Sequence, residues 1–224
     1  MKSPIAVALD APDLATFSKW ALAAAPAVEI LKVGLEVFLR DGAEAIEVVK
    51  QTDCKLFLDL KLHDIPNTVK GACESVSRFS PDFLTVHASG GPAMIAAAAN
   101  ALPNTKITAV TILTSMSPED LKAVGFEKSA EELAVRMAKM AVDAGARAIV
   151  CSPQEVSAIR ASVGSDVTLI TPGVRPAGAD LGDQSRVATP KEAIENGANY
   201  VVIGRPITGA PDIHLAAVEI AKSL

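Results

Sequence analysis

The run LFLDLKLHDIPNTV, residues 56–69, places Asp59, Lys61, His63 and Asp64 in and just beyond an otherwise apolar stretch. A buried charge is costly unless it is paired or put to use. Read as a strand, the segment sends Leu56, Leu58 and Leu60 to one face and Phe57, Asp59 and Lys61 to the other. The leucines fix that phase, because a one-residue slip would exchange the two faces. A lysine beside carboxylates keeps its charge. Such a group can stabilise negative charge as it develops and then donate a proton.

Two other segments add to this set. In VEILKVG (28–34), Ile30, Lys32 and Gly34 share a face, which aims Lys32 at Asp59 and Lys61, and PIAVALD (4–10) closes on Asp10. Four ionisable groups from three consecutive strands therefore converge on one rim. An ion-pair layer that only fills the interior is the plain alternative, but charge clusters at strand ends more often mark sites. Asp64 precedes Ile65-Pro66, and proline disfavours helix at Ile65 while suiting the first turn of a helix. Asp64 is thus either a helix N-cap or a partner of Asp59 and Lys61. His63 and His87 are read as structural.

The elements that must position these groups show in the alternation of the chain. Short apolar runs at 4–10, 28–34, 55–61, 82–88, 106–113, 146–152, 166–173 and 199–205 are separated by Ala-, Glu- and Lys-rich stretches with helical spacing. Examples of the latter are DLATFSKWALAAA, LEVFLRDGAEAIEVVK and AEELAVRMAKMAVDAG. Apolar runs alternating with helices indicate a parallel sheet covered by helices. Eight such units close into a (β/α)8 TIM barrel of roughly 200–250 residues, so a single α/β barrel domain over 1–224 is expected. A doubly wound open sheet competes, yet no GxGxxG follows the first strand.

Strands seven and eight end in TPGVRP (171–176) and VVIGRP, where Gly173 with Arg175 and Gly204 with Arg205 offer backbone and guanidinium donors for a phosphate. The barrel's usual phosphate position is there. The segment between them, 173–190, is rich in Gly and Pro without a clear helix, and is read as a mobile lid.

Composition narrows the classes. Basic residues number 21 against 26 acidic, a formal net charge of −5, which argues against a nucleic-acid surface. Three widely spaced cysteines form neither a disulfide framework nor a zinc pattern and fit a reducing compartment. No stretch approaches the roughly 18 apolar residues of a membrane span, and the first residues lack the apolar core of a signal peptide. A cytoplasmic protein without a membrane partner is expected.

The motifs VALD, KVG, FLDLKLHDIPNT, TVHASGG, TILTSM, TPGVRP and VVIGRPI, spread over nearly the whole chain, resemble orotidine 5′-phosphate decarboxylases of the short bacterial type. The resemblance implies a lyase free of metal and cofactor that converts orotidine 5′-monophosphate to UMP and carbon dioxide. It implies a Lys-Asp-Lys-Asp array of Lys32, Asp59, Lys61 and Asp64, with Asp64 and Thr68 reaching the partner's site across a homodimer. It further assigns Asp10 with Lys32 to the ribose, Thr114 to the pyrimidine, and Arg175, Gln184, Gly204 and Arg205 to the phosphate site and its closing loop. Magnesium-dependent sugar-phosphate enzymes of the hexulose-phosphate synthase or ketogulonate-phosphate decarboxylase kind share DxKxxD but not the KVG lysine in this context. A non-catalytic barrel that binds pyrimidine nucleotides is the remaining alternative.

Overall fold

A computed structural model describes residues 2–174 and 188–224. The chain alternates strands and helices from its first element. β1 (Ser3–Ala8), α1 (Leu14–Ala24) and β2 (Val28–Gly34) lead into α2 (Leu35–Asp41), α3 (Ala43–Lys50) and β3 (Lys55–Leu62). α4 (Pro66–Val76), β4 (Phe83–His87), α5 (Gly91–Ala101) and β5 (Lys106–Val110) follow. Then come α6 (Pro118–Ala123), α7 (Ala130–Asp143), β6 (Ala148–Val150), α8 (Val156–Val163) and β7 (Thr168–Thr171). The chain ends with α9 (Pro190–Glu195), β8 (Tyr200–Ile203), α10 (Arg205–Thr208) and α11 (Ile213–Lys222).

All eight strands are parallel and neighbour one another in chain order, with β8 pairing back to β1. The sheet is therefore a closed barrel, as the alternation of the sequence implies. Side-chain oxygens cap several helices where the sequence supplies them. Asp13, Ser129 and Asp212 each accept a backbone N–H, and Ser117 with Asp120 and Thr189 with Glu192 form reciprocal capping boxes.

One helical stretch of the sequence becomes two. LEVFLRDGAEAIEVVK breaks at Gly42, whose φ of 54° and ψ of −120° suit only a residue without a Cβ. The short α6 and α10 have too few residues to leave a periodic signal in the sequence. Arg175, Gln184 and most of the 173–190 segment, for which a lid is expected, lie outside the described residues; Val174 and Ala188, on either side of the undescribed part, form a parallel bridge.

Two cores hold the barrel. Leu56, Leu58 and Leu60 belong to the larger one, between strands and helices, as do Leu31 and Val33. The smaller fills the barrel's middle with Ala6, Ile30, Phe57, Phe83, Ala148 and Ile170. Phe57 meets Phe83 edge-on at 5.7 Å, and Phe83 meets Tyr200 at 6.1 Å. Burying side chains as large as Phe57 and Phe83 contributes about 1.5–3 kcal/mol each. Below this layer the N-terminal end is plugged by a closed triad. Lys55 Nζ donates to Glu29 at 2.9 Å and to the Tyr200 hydroxyl at 2.8 Å, and that hydroxyl donates to Glu29 at 3.0 Å. The bottom thus carries a hydrogen-bonded polar triad and the middle is apolar, leaving the opposite end for chemistry.

Candidate active site

The inward phase that places Ile30 and Phe57 in the dry layer puts Lys32 and Asp59 one step higher, toward the C-terminal ends of their strands. There Lys32 Nζ lies 3.1 Å from Asp59 Oδ2 and 3.8 Å from Asp10 Oδ1, while Lys61 Nζ lies 2.8 Å from Asp59 Oδ1. Asp59 bridges two ammonium groups, one on each oxygen. Lys32 and Asp59 are buried, and Asp10 is half exposed at the mouth. Gly34 makes room for this approach: a Cβ there would stand 2.8 Å from Asp10 Oδ1 and 3.1 Å from Lys32 Nζ.

Lys61 reaches the site by a less regular route than alternation implies. Leu58 pairs with Leu84, but the next pair is Leu62 with Val86, so Asp59, Leu60 and Lys61 stand opposite Thr85 alone. In this bulge Lys61 adopts φ 48°, the left-handed region that residues with a Cβ rarely occupy. Its N–H donates to Thr85 Oγ1 at 2.8 Å, and the Thr85 hydroxyl lies 3.1 Å from Asp59 Oδ1, to which it donates. Sequence reasoning assigned Thr85 no role.

Asp10, Lys32, Asp59 and Lys61 line a cavity of about 320 Å³. Phe57 and Val202 supply apolar lining, and Thr114, Gly173, Gly204 and Arg205 contribute from the loops after β5, β7 and β8. Gly204 is the N-cap of α10 and Arg205 its first residue. Cys151 lines the cavity too, but burial, reinforced by the Glu155 carboxylate, pushes its thiol up to about 12, far from nucleophilic.

Asp64 and Thr68 are not brought to this cavity within one chain. Both are exposed. Asp64 Oδ1 accepts the Ile65 N–H at 2.6 Å, and the Thr68 N–H donates to the Ile65 carbonyl at 3.1 Å. The N-cap reading of Asp64 is corrected: Ile65 is the N-cap, extended at ψ 152° because Pro66 follows it. His63 and His87 stand beside the bulge with ring centroids 5.4 Å apart. Burial lowers the His87 pKa, with His63 and Lys61 adding to the effect, so a neutral imidazole is favoured there.

The electrostatics of the array follow from its contacts. Burial alone would raise the Asp59 carboxyl, but the Lys32 and Lys61 ammonium groups outweigh it and hold the carboxyl down at about 2. Removing Asp59 would leave the buried Lys32 ammonium with only the half-exposed Asp10 carboxylate, 3.8 Å away.

Comparison with known proteins gives a consistent result. The family model described as "Orotidine 5'-phosphate decarboxylase / HUMPS family" matches residues 3–220. The orotidine 5′-phosphate decarboxylase of Thermobifida fusca (strain YX) is 59% identical, covering 100% of this chain and 97% of that protein. The enzyme of the same name from Anaeromyxobacter sp. (strain K) is 51% identical over 98% of this chain and 97% of its own. The crystal structure of orotidine 5′-phosphate decarboxylase from Lactobacillus acidophilus superposes with a TM-score of 0.86 at 37% identity, covering 99% and 98% of the two chains.

The depressed Asp59 pKa carries a stability consequence with a definite sign. Its contribution is complete above the ordinary carboxylate value of about 4 and is lost as pH falls through about 2. A shift near two units corresponds to roughly 2–3 kcal/mol. Asp59→Asn is expected to be less stable than the parent by about that amount or more near pH 7, in urea unfolding, with the gap narrowing between about pH 4 and pH 2. A gap that does not change over that range contradicts a charged Asp59.

Proposed function

The chain belongs to the orotidine 5′-phosphate decarboxylase / HUMPS family, and from that premise we infer that it converts orotidine 5′-monophosphate to UMP and carbon dioxide, the last step of de novo pyrimidine nucleotide synthesis. It is a carboxy-lyase. The observation that carries this reading is Asp59 bridging Lys32 and Lys61 above a dry barrel interior, at the end where this fold places its chemistry.

The reaction breaks the bond between pyrimidine C6 and its carboxylate, leaving the electron pair on C6. No neighbouring carbonyl delocalises that pair, so the carbanion needs a cation held beside it. Lys61, tied to Asp59 before any ligand arrives, supplies the charge and then passes a proton to C6. Water returns a proton to the Lys61 amine. Lys32 balances the other Asp59 oxygen, so the carboxylate aims Lys61 without leaving its own charge unpaired. Apolar lining from Phe57 and Val202 lowers the local dielectric and strengthens the interaction with developing charge.

Around this centre, Asp10 and Lys32 hold the ribose hydroxyls, Thr114 contacts the pyrimidine, and Gly204 with Arg205 grips the phosphate. Arg175 and Gln184 complete the phosphate site in this reading. Gripping a remote phosphate supplies binding energy that the reacting ring alone does not offer. Nothing among the described residues of the site favours magnesium-dependent sugar-phosphate chemistry or a non-catalytic nucleotide sensor. No helix among the described residues is long and apolar enough to cross a membrane, and we place the enzyme in the cytoplasm, its 224 residues forming one barrel domain.

The partner is a second copy of the chain. Asp64, exposed here, then becomes the second carboxylate at the partner's Lys61, with Thr68 beside it. Exposed Leu35 and Leu39, one turn apart on α2, and exposed Ile65, next to Asp64, follow the neighbouring strands β2 and β3 and give a dimer apolar surface to cover.

Two assays test this. In EDTA the parent chain is expected to release carbon dioxide from orotidine 5′-monophosphate at its full rate, and Lys61→Ala to lose at least about a thousandfold in kcat; a parent that turns over only after metal is added contradicts the mechanism. Mixing the inactive Lys61→Ala and Asp64→Ala proteins, with subunit exchange verified, is expected to restore about one quarter of parental activity, since each mixed dimer regains one intact site. No recovery places Asp64 outside the shared site.

A further inference from the structure

The bulge that presents Lys61 raises a question of support. A lysine in the left-handed region costs of order 1–3 kcal/mol and persists only where its surroundings over-determine it. Leaving the ladder also strands the Lys61 N–H, because the β3–β4 register skips from Leu58–Leu84 to Leu62–Val86. An unpaired backbone donor there would be costly. A side chain rather than a backbone carbonyl answers it: Thr85 Oγ1, on a fully buried residue, accepts the Lys61 N–H at 2.8 Å.

The same hydroxyl has one proton to give, and Asp59 Oδ1 lies 3.1 Å away. That oxygen also receives Lys61 Nζ at 2.8 Å. The contacts close a ring: Lys61 N–H to Thr85 Oγ1, the Thr85 hydroxyl to Asp59 Oδ1, and Asp59 Oδ1 to Lys61 Nζ. Both ends of Lys61 are thereby referred to one fixed point on β4. Thr85 is held there by Leu84 and Val86, which point into the outer core on either side of it, and by Phe83 in the dry layer below.

We propose that Thr85 is a positioning residue for the decarboxylation, its hydroxyl fixing both the left-handed backbone of Lys61 and the Asp59 oxygen to which the Lys61 ammonium is tied. It touches no substrate and acts through Lys61 and Asp59. The proposal rests on the functional reading above. Valine at this position keeps the branched shape, so its packing survives while both hydrogen bonds vanish. Serine keeps the hydroxyl and loses only the methyl.

The test is steady-state kinetics on orotidine 5′-monophosphate, combined with binding of UMP and of a UMP analogue carrying a fixed negative charge at C6. Thr85→Val is expected to lower kcat about 10- to 100-fold, since a displacement near 1 Å is that costly, with KM and UMP affinity changed less than about threefold. Affinity for the anionic analogue falls in step with kcat, because only that ligand presents the charge that Lys61 must meet. Thr85→Ser returns kcat to within about threefold of the parent. A purely structural brace would lower the unfolding temperature of the valine variant and leave kcat and analogue binding per folded molecule unchanged; that result overturns the assignment. If the valine variant does not fold, the serine variant decides alone, and a loss beyond about tenfold in it overturns the role of the hydroxyl. A parent chain that itself fails to decarboxylate removes the functional reading and the assignment with it, whereas an active parent with an unaffected valine variant removes the assignment only.

Discussion

Asp59 accepts Lys32 on one oxygen and Lys61 on the other, at 3.1 and 2.8 Å, and the buried Asp59 and Lys32 are each costly without a partner of opposite charge. Most of the fold can be understood as meeting the conditions of that contact. The carboxylate must be on β3, between a cation from β2 and a second cation further along its own strand. Parallel neighbours supply the first through register, because Lys32 stands beside Phe57, one inward step below Asp59. They cannot supply the second by regular pleating alone. The bulge after Asp59 does so, with backbone strain at Lys61 and a hydroxyl from β4 to contain it.

The barrel interior is layered to suit. A polar triad stands at the N-terminal end, six apolar side chains fill the middle, and the ionic array stands at the C-terminal end. The apolar layer excludes water beneath the array, which keeps its electrostatics strong. Because the ion pairs are formed before a ligand enters, little reorganisation is left for the moment when charge develops on the substrate. The cost of the arrangement is borne by the surrounding packing, where the strand leucines are fixed against the helices.

Much of this was legible in the sequence, and for a physical reason. Strand alternation is strict wherever one face packs on helices, so the leucines of LFLDLKL sufficed to orient Phe57 and Asp59. Lys32 followed from the same rule on β2. What alternation does not encode is a departure from itself. The left-handed turn at Lys61 and the break at Gly42 are single-residue backbone events without a periodic signature. Thr85 could have been found, since FLTVH alternates Phe83, Thr85 and His87 against Leu84 and Val86, a polar residue at an inward position level with the charges. Asp64 is the opposite case. Pro66 correctly placed the helix start, but what an exposed carboxylate beside it meets depends on contacts beyond one chain.

Everything above depends on Asp59 being a carboxylate held by two ammonium groups before any ligand binds. Its side-chain carboxyl carbon, followed by NMR as the pH is lowered, reports that state directly, with Asp59→Asn identifying the resonance. A midpoint at about 2 is expected, moving upward toward the ordinary range when Lys32 is replaced by methionine. A midpoint near 4 or above in the parent protein, or one indifferent to Lys32, would contradict it.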